Sequence, residues 1–195
     1  MAKTEKTSLL FPAIALAAKA HHGQYRKGTS LPYLLHPLGV AKILIESGAD
    51  DEVVAAGVLH DTVEDAGVSL AEIRELFGER VARLVASASE ADKSDAWENR
   101  KRHTIAAVAT APLEVLLVEG ADKLDNIRAI REDYERLGDG VWARFNRGRE
   151  SQRWYYQSLA VAFLARDESA ATTRIFEQFR EEVVKVFGPI PSPLK

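Results

Sequence analysis

The stretch HDTVED places His60, Asp61, Glu64 and Asp65 close together in the chain. On a helix Glu64 falls four residues after His60, and Asp65 four after Asp61. Each pair then shares a face, one turn apart. Adjacent imidazole and carboxylate groups can bind one cation if the helix end points at it. A His/Asp mix suits Mn2+, Fe2+ or Zn2+ better than Ca2+ or Mg2+. The trailing carboxylates would be free to orient or deprotonate an attacking water. A solvated helix end with an incidental histidine would give the same letters, so the cluster needs partners elsewhere.

Partners exist. His36 sits in PYLLHP, at a loop-to-helix junction, where it either caps the helix or ligates. Asp122 lies in EGADKLDN, inside an apolar helical run. A carboxylate there is costly to bury unless it is paired or metal-bound. An ordinary salt bridge with Lys123 or an arginine is the competing explanation. The chain has no cysteine, so disulfides, zinc-thiolate sites and cysteine nucleophiles are excluded. Any metal must be held by histidine and carboxylate. Charge is nearly balanced, at −3. A general DNA or RNA binder would need a basic surplus. A small anionic substrate held by a few local cations remains compatible.

The elements that must position these residues read as helices throughout. SLLFPAIALAAKAHH is a helix with Ser8 as its N-cap and Gly23 as its stop. GQYRKGTSLPYLLHP is an irregular loop, and the helical period returns from Pro37 to a stop at Gly48. The next helix starts near Asp50 or Asp51 and runs on through HDTVED. Ser69 and Glu72 have the spacing of a capping box. EADKSDAWEN and LGDG read as loops. VWARFNRGRESQRWYYQSLAVAFLARD is one long helix or two, either with its aromatics in the core and its arginines on a solvated face, or with part of it closing over a base or phosphates by stacking and cation–π contact. His21 and His22 close the first helix and are structural, and His103 is a surface residue. Nothing sustains a period of two. The expectation is an all-α fold, a single helical bundle of about eight to ten helices, with residues 1–188 as one domain and a flexible Pro-rich tail at 189–195. The polar MAKTEKTS start has no signal-peptide character, and no stretch approaches a membrane span, so a cytoplasmic protein is expected.

Taken together, AHHGQYRKGTSLPYLLHP, AAGVLHDTVEDAGVSLAEIRELFG, ENRKR and ADKLDNIR resemble the HD-domain hydrolase half of RelA/SpoT-type alarmone enzymes. The likeness is closest to the stand-alone small alarmone hydrolases. It implies an HD-type helical bundle and one divalent metal, Mn2+ first, held by His36, His60, Asp61 and Asp122. It implies that Glu64 and Asp65 activate and place the water. Arg26 and Lys27 match the family's basic loop pair beside the nucleotide, and Asn126 matches an asparagine facing the sugar. The implied reaction removes the 3′-pyrophosphate of ppGpp or pppGpp, giving GDP or GTP and pyrophosphate. Alarmone synthesis is not expected, since no synthetase segment is matched.

The chain departs from the family pattern at Glu119 and Gly120, where a Lys-Leu pair is usual, and at Asp125, where His or Tyr is common. Two alternatives stand beside this reading, the first motivated by these extra acids near an anionic substrate. One is a phosphohydrolase of the same fold acting on another phosphorylated nucleotide, such as NADPH or an adenosine alarmone. The other is a non-catalytic nucleotide-sensing module. Self-association and a cognate alarmone synthetase as partner are left open.

Overall fold

A computed structural model describes residues 8–88, 94–166 and 170–190. Among them are α1 (Leu10–Ala20), α2 (Leu35–Glu46), α3 (Asp51–Leu59), α4 (Thr62–Ala66), α5 (Leu70–Phe77) and α6 (Glu79–Ala88). Then follow α7 (Trp97–Val108), α8 (Leu113–Leu137), a 3-10 helix (Gly138–Arg144), α9 (Arg149–Leu164) and α10 (Ala170–Phe187). The described residues form no strand, only an isolated bridge between Tyr25 and Pro32. The all-α expectation holds. No helix among them is long and apolar enough to cross a membrane. The end of the Pro-rich tail, 191–195, lies outside the described residues.

The 25-residue helix α8 is the spine, packed against α2, α3, α6 and α10. Leu116, Leu124 and Ile127 on it are fully buried. Helix α3 is buried from Val53 through Leu59 because other helices enclose it. Close approach between helices requires glycine at Gly57 and Gly120, among other positions. A Cβ on Gly57 would meet Leu44 of α2 at 2.3 Å, and one on Gly120 would meet Phe176 of α10 at 3.0 Å. Gly120 therefore makes room for α10, whose Phe176 stacks on Phe163 of α9.

Caps follow the sequence where side chains reach their own helix. Asp50 accepts the N–H groups of Glu52 and Val53, and Ser69 accepts that of Glu72. Helix α1 differs. Its N-cap is Leu9, not Ser8, and Asp51 of α3 accepts the Leu9 N–H at 3.0 Å. Helix α2 begins at Leu35 rather than Pro37, which puts His36 in its first turn. EADKSDAWEN is shorter as a loop than expected, since α7 starts at Trp97, while 89–93 lie outside the described residues. LGDG opens the 3-10 helix rather than a loop, and VWARF and RESQRWYYQ belong to separate elements.

The largest correction concerns HDTVED. It does not continue α3, because the helix breaks at His60 and Asp61 and α4 restarts at Thr62. Side chains compete for the carbonyls that would continue it. His60 Nδ1–H donates to Gly57 O at 2.8 Å, and Thr62 Oγ1–H donates to Leu59 O at 2.7 Å.

Candidate metal and nucleotide site

The break at His60–Asp61, the first turn of α2 and the middle of α8 meet at one point. His36 Nε2 lies 3.1 Å from Asp122 Oδ1 and 3.6 Å from Asp61 Oδ2. His60 Nε2 lies 3.0 Å from Asp61 Oδ2 and 3.7 Å from Asp122 Oδ1. The donor atoms of His36, His60 and Asp122 all fall within 4.8 Å of one another. The structure thus brings together the four residues expected to hold a metal.

Each of these side chains is tied to a neighbouring residue. The His36 Nδ1–H donates to Asp125 Oδ2 at 2.6 Å, and His60 Nδ1–H is spent on Gly57. Both rings therefore turn Nε2 inward. Tyr33 Oη–H donates to Asp61 Oδ2 at 2.5 Å, Asn126 Nδ2–H to Asp122 Oδ1 and Lys123 Nζ–H to Asp122 Oδ2, each at 2.5 Å. Outer partners of this kind set ring orientation and ligand basicity.

The electrostatics describe a cation site. Burial alone would depress the His60 imidazole, yet Asp61 and Asp122 outweigh it and hold its pKa well above the ordinary value. His36 is raised in the same way, with burial opposed by Asp122 and Asp125. Burial would raise Asp122, but Lys123, His36 and His60 hold it well below the carboxylate range. Asp61 is lowered against burial by His60. The group draws positive charge inward from every side. His60 Nε2 is buried and makes no hydrogen bond among the described residues. Two imidazoles, one of them with its Nε2 left without a hydrogen bond, and two carboxylates fit a borderline divalent metal.

Glu64 is half-buried and Asp65 exposed on α4, whose N-cap is the candidate ligand Asp61. Asp65 remains one turn from Asp61, its N–H donating to Asp61 O at 2.9 Å. Beside the metal cluster opens a cleft of about 250 Å3, lined by Arg26, Lys27, Tyr33, Asn126, Arg144 and Phe145 among others. Tyr33 and Asn126 belong to both cleft and cluster, which makes them contiguous. All three expected substrate-binding residues line it. Lys27 Nζ–H donates to Asn146 Oδ1 at 3.0 Å. Gly28, at φ +72°, approaches Arg144 where a Cβ would stand 3.0 Å from its own.

The sequence reading missed Tyr33 and took Asp125 only as a departure, whereas Lys123 pairs with Asp122 as one of its expected partners. Asp125 and Asn126 follow Asp122 at i+3 and i+4, a spacing that could have placed both on its face. Tyr33 precedes His36 by three residues in the same motif. Nothing in the sequence singled out Arg144 from its neighbouring arginines. Most of that segment behaves as expected: Trp142, Tyr155 and Tyr156 are buried, and Arg147 pairs with Glu98. His21 is buried and His22 and His103 are exposed. The departures have protein partners. Glu119, raised by burial, lies 3.5 Å from Lys123, and Gly120 admits α10.

The HD domain family model matches residues 13–152. The chain is 34% identical over 183 residues to MESH1 of Danio rerio, a guanosine-3′,5′-bis(diphosphate) 3′-pyrophosphohydrolase, covering 92% of this chain and 97% of that one. It is 42% identical over 117 residues to the enzyme of that name from Aquifex aeolicus, spanning 58% of this chain but only 16% of the Aquifex protein. Among solved structures it resembles a metazoan ortholog of SpoT described as hydrolysing ppGpp. That match has a TM-score of 0.73 at 27% identity, over 92% of this chain and 98% of the other. With its candidate ligands on three converging segments and these matches, the chain belongs to the HD domain family.

Proposed function

We propose that this protein is a metal-dependent phosphohydrolase that removes the 3′-pyrophosphate of guanosine alarmones. Water and ppGpp, or pppGpp, give pyrophosphate and GDP, or GTP. The bond between the 3′ oxygen and its phosphorus breaks, and the released oxygen takes up a proton. The single observation that carries this reading is the convergence of His36, His60, Asp61 and Asp122 beside a cleft lined by Arg26 and Lys27. The names of the relatives supply the substrate.

His36, His60, Asp61 and Asp122 would hold the cation, with Mn2+ as the proposed ion. Such a cation polarises a phosphoryl oxygen and lowers the pKa of water. Glu64 and Asp65 accept the proton of the attacking water and orient it. Arg26 and Lys27 fix phosphate charge, Arg26 in the planar geometry that suits two-point contact. Asn126 keeps its Nδ2 on Asp122 and offers Oδ1 to a ribose hydroxyl. Tyr33, Phe145 and Tyr156 supply apolar ring surface to the cleft where a base can stack. Residues 1–188 are taken as the working domain and 189–195 as a tail.

Incubation of purified protein with Mn2+ and ppGpp, with products separated chromatographically, tests the reading. GDP and pyrophosphate support it. Orthophosphate released from NADPH, with ppGpp untouched, overturns it in favour of another nucleotide. Binding of ppGpp without turnover points to a sensor.

A further inference from the structure

The loop between α1 and α2 contains a residue whose polar groups are all used. The Gln24 N–H donates to His21 O at 3.0 Å, and Gln24 O accepts the Tyr33 N–H at 2.9 Å. Its side-chain Oε1 accepts the His21 Nδ1–H at 2.8 Å, and its Nε2–H donates to the carbonyl of Asp65 at 3.0 Å. The last bond crosses from the loop to the far end of α4. That helix has only five residues, too few to be stable on backbone hydrogen bonds alone. At its start, Tyr33 from the same loop holds Asp61. At its end, Thr62 O takes the Val68 N–H, and Gln24 takes Asp65 O.

His21 carries a second clue. It is 3% exposed, and its ring packs 4.8 Å from that of Tyr33. Its Nε2 is buried without a hydrogen-bond partner among the described residues. An orphaned buried nitrogen is destabilising. A purely apolar ring would pack there without that cost. What histidine adds is the Nδ1–H that orients Gln24.

We propose that Gln24, oriented by His21, is a positioning residue that holds α4 so that Glu64 and Asp65 face the reacting water. The loop grips the short helix at both ends, through Tyr33 at the ligand Asp61 and through Gln24 at the acid pair. The Gln24 side chain bonds to no residue of the metal cluster or the cleft lining; it meets Tyr33 only through its backbone carbonyl, which a substitution leaves in place. Its removal therefore misaligns the water without emptying the site. This inference rests on the assignment of Glu64 and Asp65 as the water-activating pair.

The test compares wild type with Gln24→Met, which keeps side-chain length and loses both bonds, and with His21→Phe, which keeps the ring and loses Nδ1–H. The expected result for Gln24→Met is a fall in kcat of about 10- to 100-fold, the scale of an ångström-level misplacement. KM for ppGpp and the Kd for Mn2+ stay unchanged. His21→Phe lowers kcat in the same direction while its melting temperature holds or rises, which a merely structural role would not produce. Unchanged kcat in both variants overturns the proposal. So does a kcat loss matched by weaker Mn2+ binding. If wild type fails to hydrolyse ppGpp, the functional reading fails separately. Hydrogen exchange then decides the positioning claim: faster exchange at 62–68 in Gln24→Met supports it, and unchanged exchange overturns it.

Discussion

Replacing Asp125 by asparagine isolates the charge behind His36. The side chain keeps its shape and an oxygen acceptor for the His36 Nδ1–H, now 2.6 Å away. What disappears is the negative charge on that acceptor. A hydrogen bond to a charged group contributes about 1.5–3 kcal/mol and a neutral one about 0.5–1.5, so the difference is about 1–1.5 kcal/mol. Asp125 is 22% exposed at its side chain, so solvent screening removes only a small part. Divided by the free energy of a tenfold change, that predicts Mn2+ binding weaker by about tenfold, at the lower edge of what losing such an outer partner costs. The assay is a Mn2+ titration followed by the electron paramagnetic resonance signal of the free ion. Circular dichroism checks that the fold is retained. Unchanged affinity would refute the idea that Asp125 makes His36 a better donor. Complete loss of binding in a folded variant would show that Asp125 does more than act through His36.

Further outcomes follow from the same geometry. Gly39→Ala places a Cβ 2.0 Å from Asp125 Oδ1, and the flexible end of Asp125 must swing off His36; Mn2+ affinity should fall as in Asp125→Asn with little change in urea unfolding, and normal affinity would count against the link. His60 and His36 are raised above the ordinary 6.5 in the metal-free protein. Groups raised on folding contribute stability that is full below the unfolded value and lost as pH rises through the folded one. The melting temperature of metal-free protein should therefore drop as pH climbs above about 6.5, while the rise caused by Mn2+ grows, since the ion replaces those protons; a flat profile in differential scanning calorimetry contradicts this. Gly120→Leu pushes a side chain into Phe176 and Ile175, and overpacking should cost about 1–3 kcal/mol in urea unfolding despite the better helix propensity. A stabilised variant would mean that α10 moves aside freely.

The candidate ligands were legible in the sequence because their types and order carry the family resemblance. His36, His60, Asp61 and Asp122 needed only a helical fold to meet. The break after Leu59 was not legible. It depends on Thr62 and His60 turning back on carbonyls, which competes with helix continuation and is decided by tertiary packing. Asp125 was visible at i+3 from Asp122, but its role depends on Gly39 of another helix leaving space for it. The same holds for Gly120, which looks like a weak spot in α8 until Phe176 is seen against it. The far wall of the cleft was hidden for a different reason. Arg144 reaches it because the chain leaves α8 in a 3-10 turn, whereas its neighbours with the same composition point elsewhere.

The donors come from α2, the break after α3 and the middle of α8, so a bound cation clasps stretches of chain that are far apart in order. Anything that binds the native state alone shifts the folding balance, by about 2.7 kcal/mol when free ligand stands at a hundred times its Kd. In a cell, survival of this protein against degradation should track the supply of its divalent cation as closely as its turnover does, and starvation for that ion would deplete the enzyme as well as idle it.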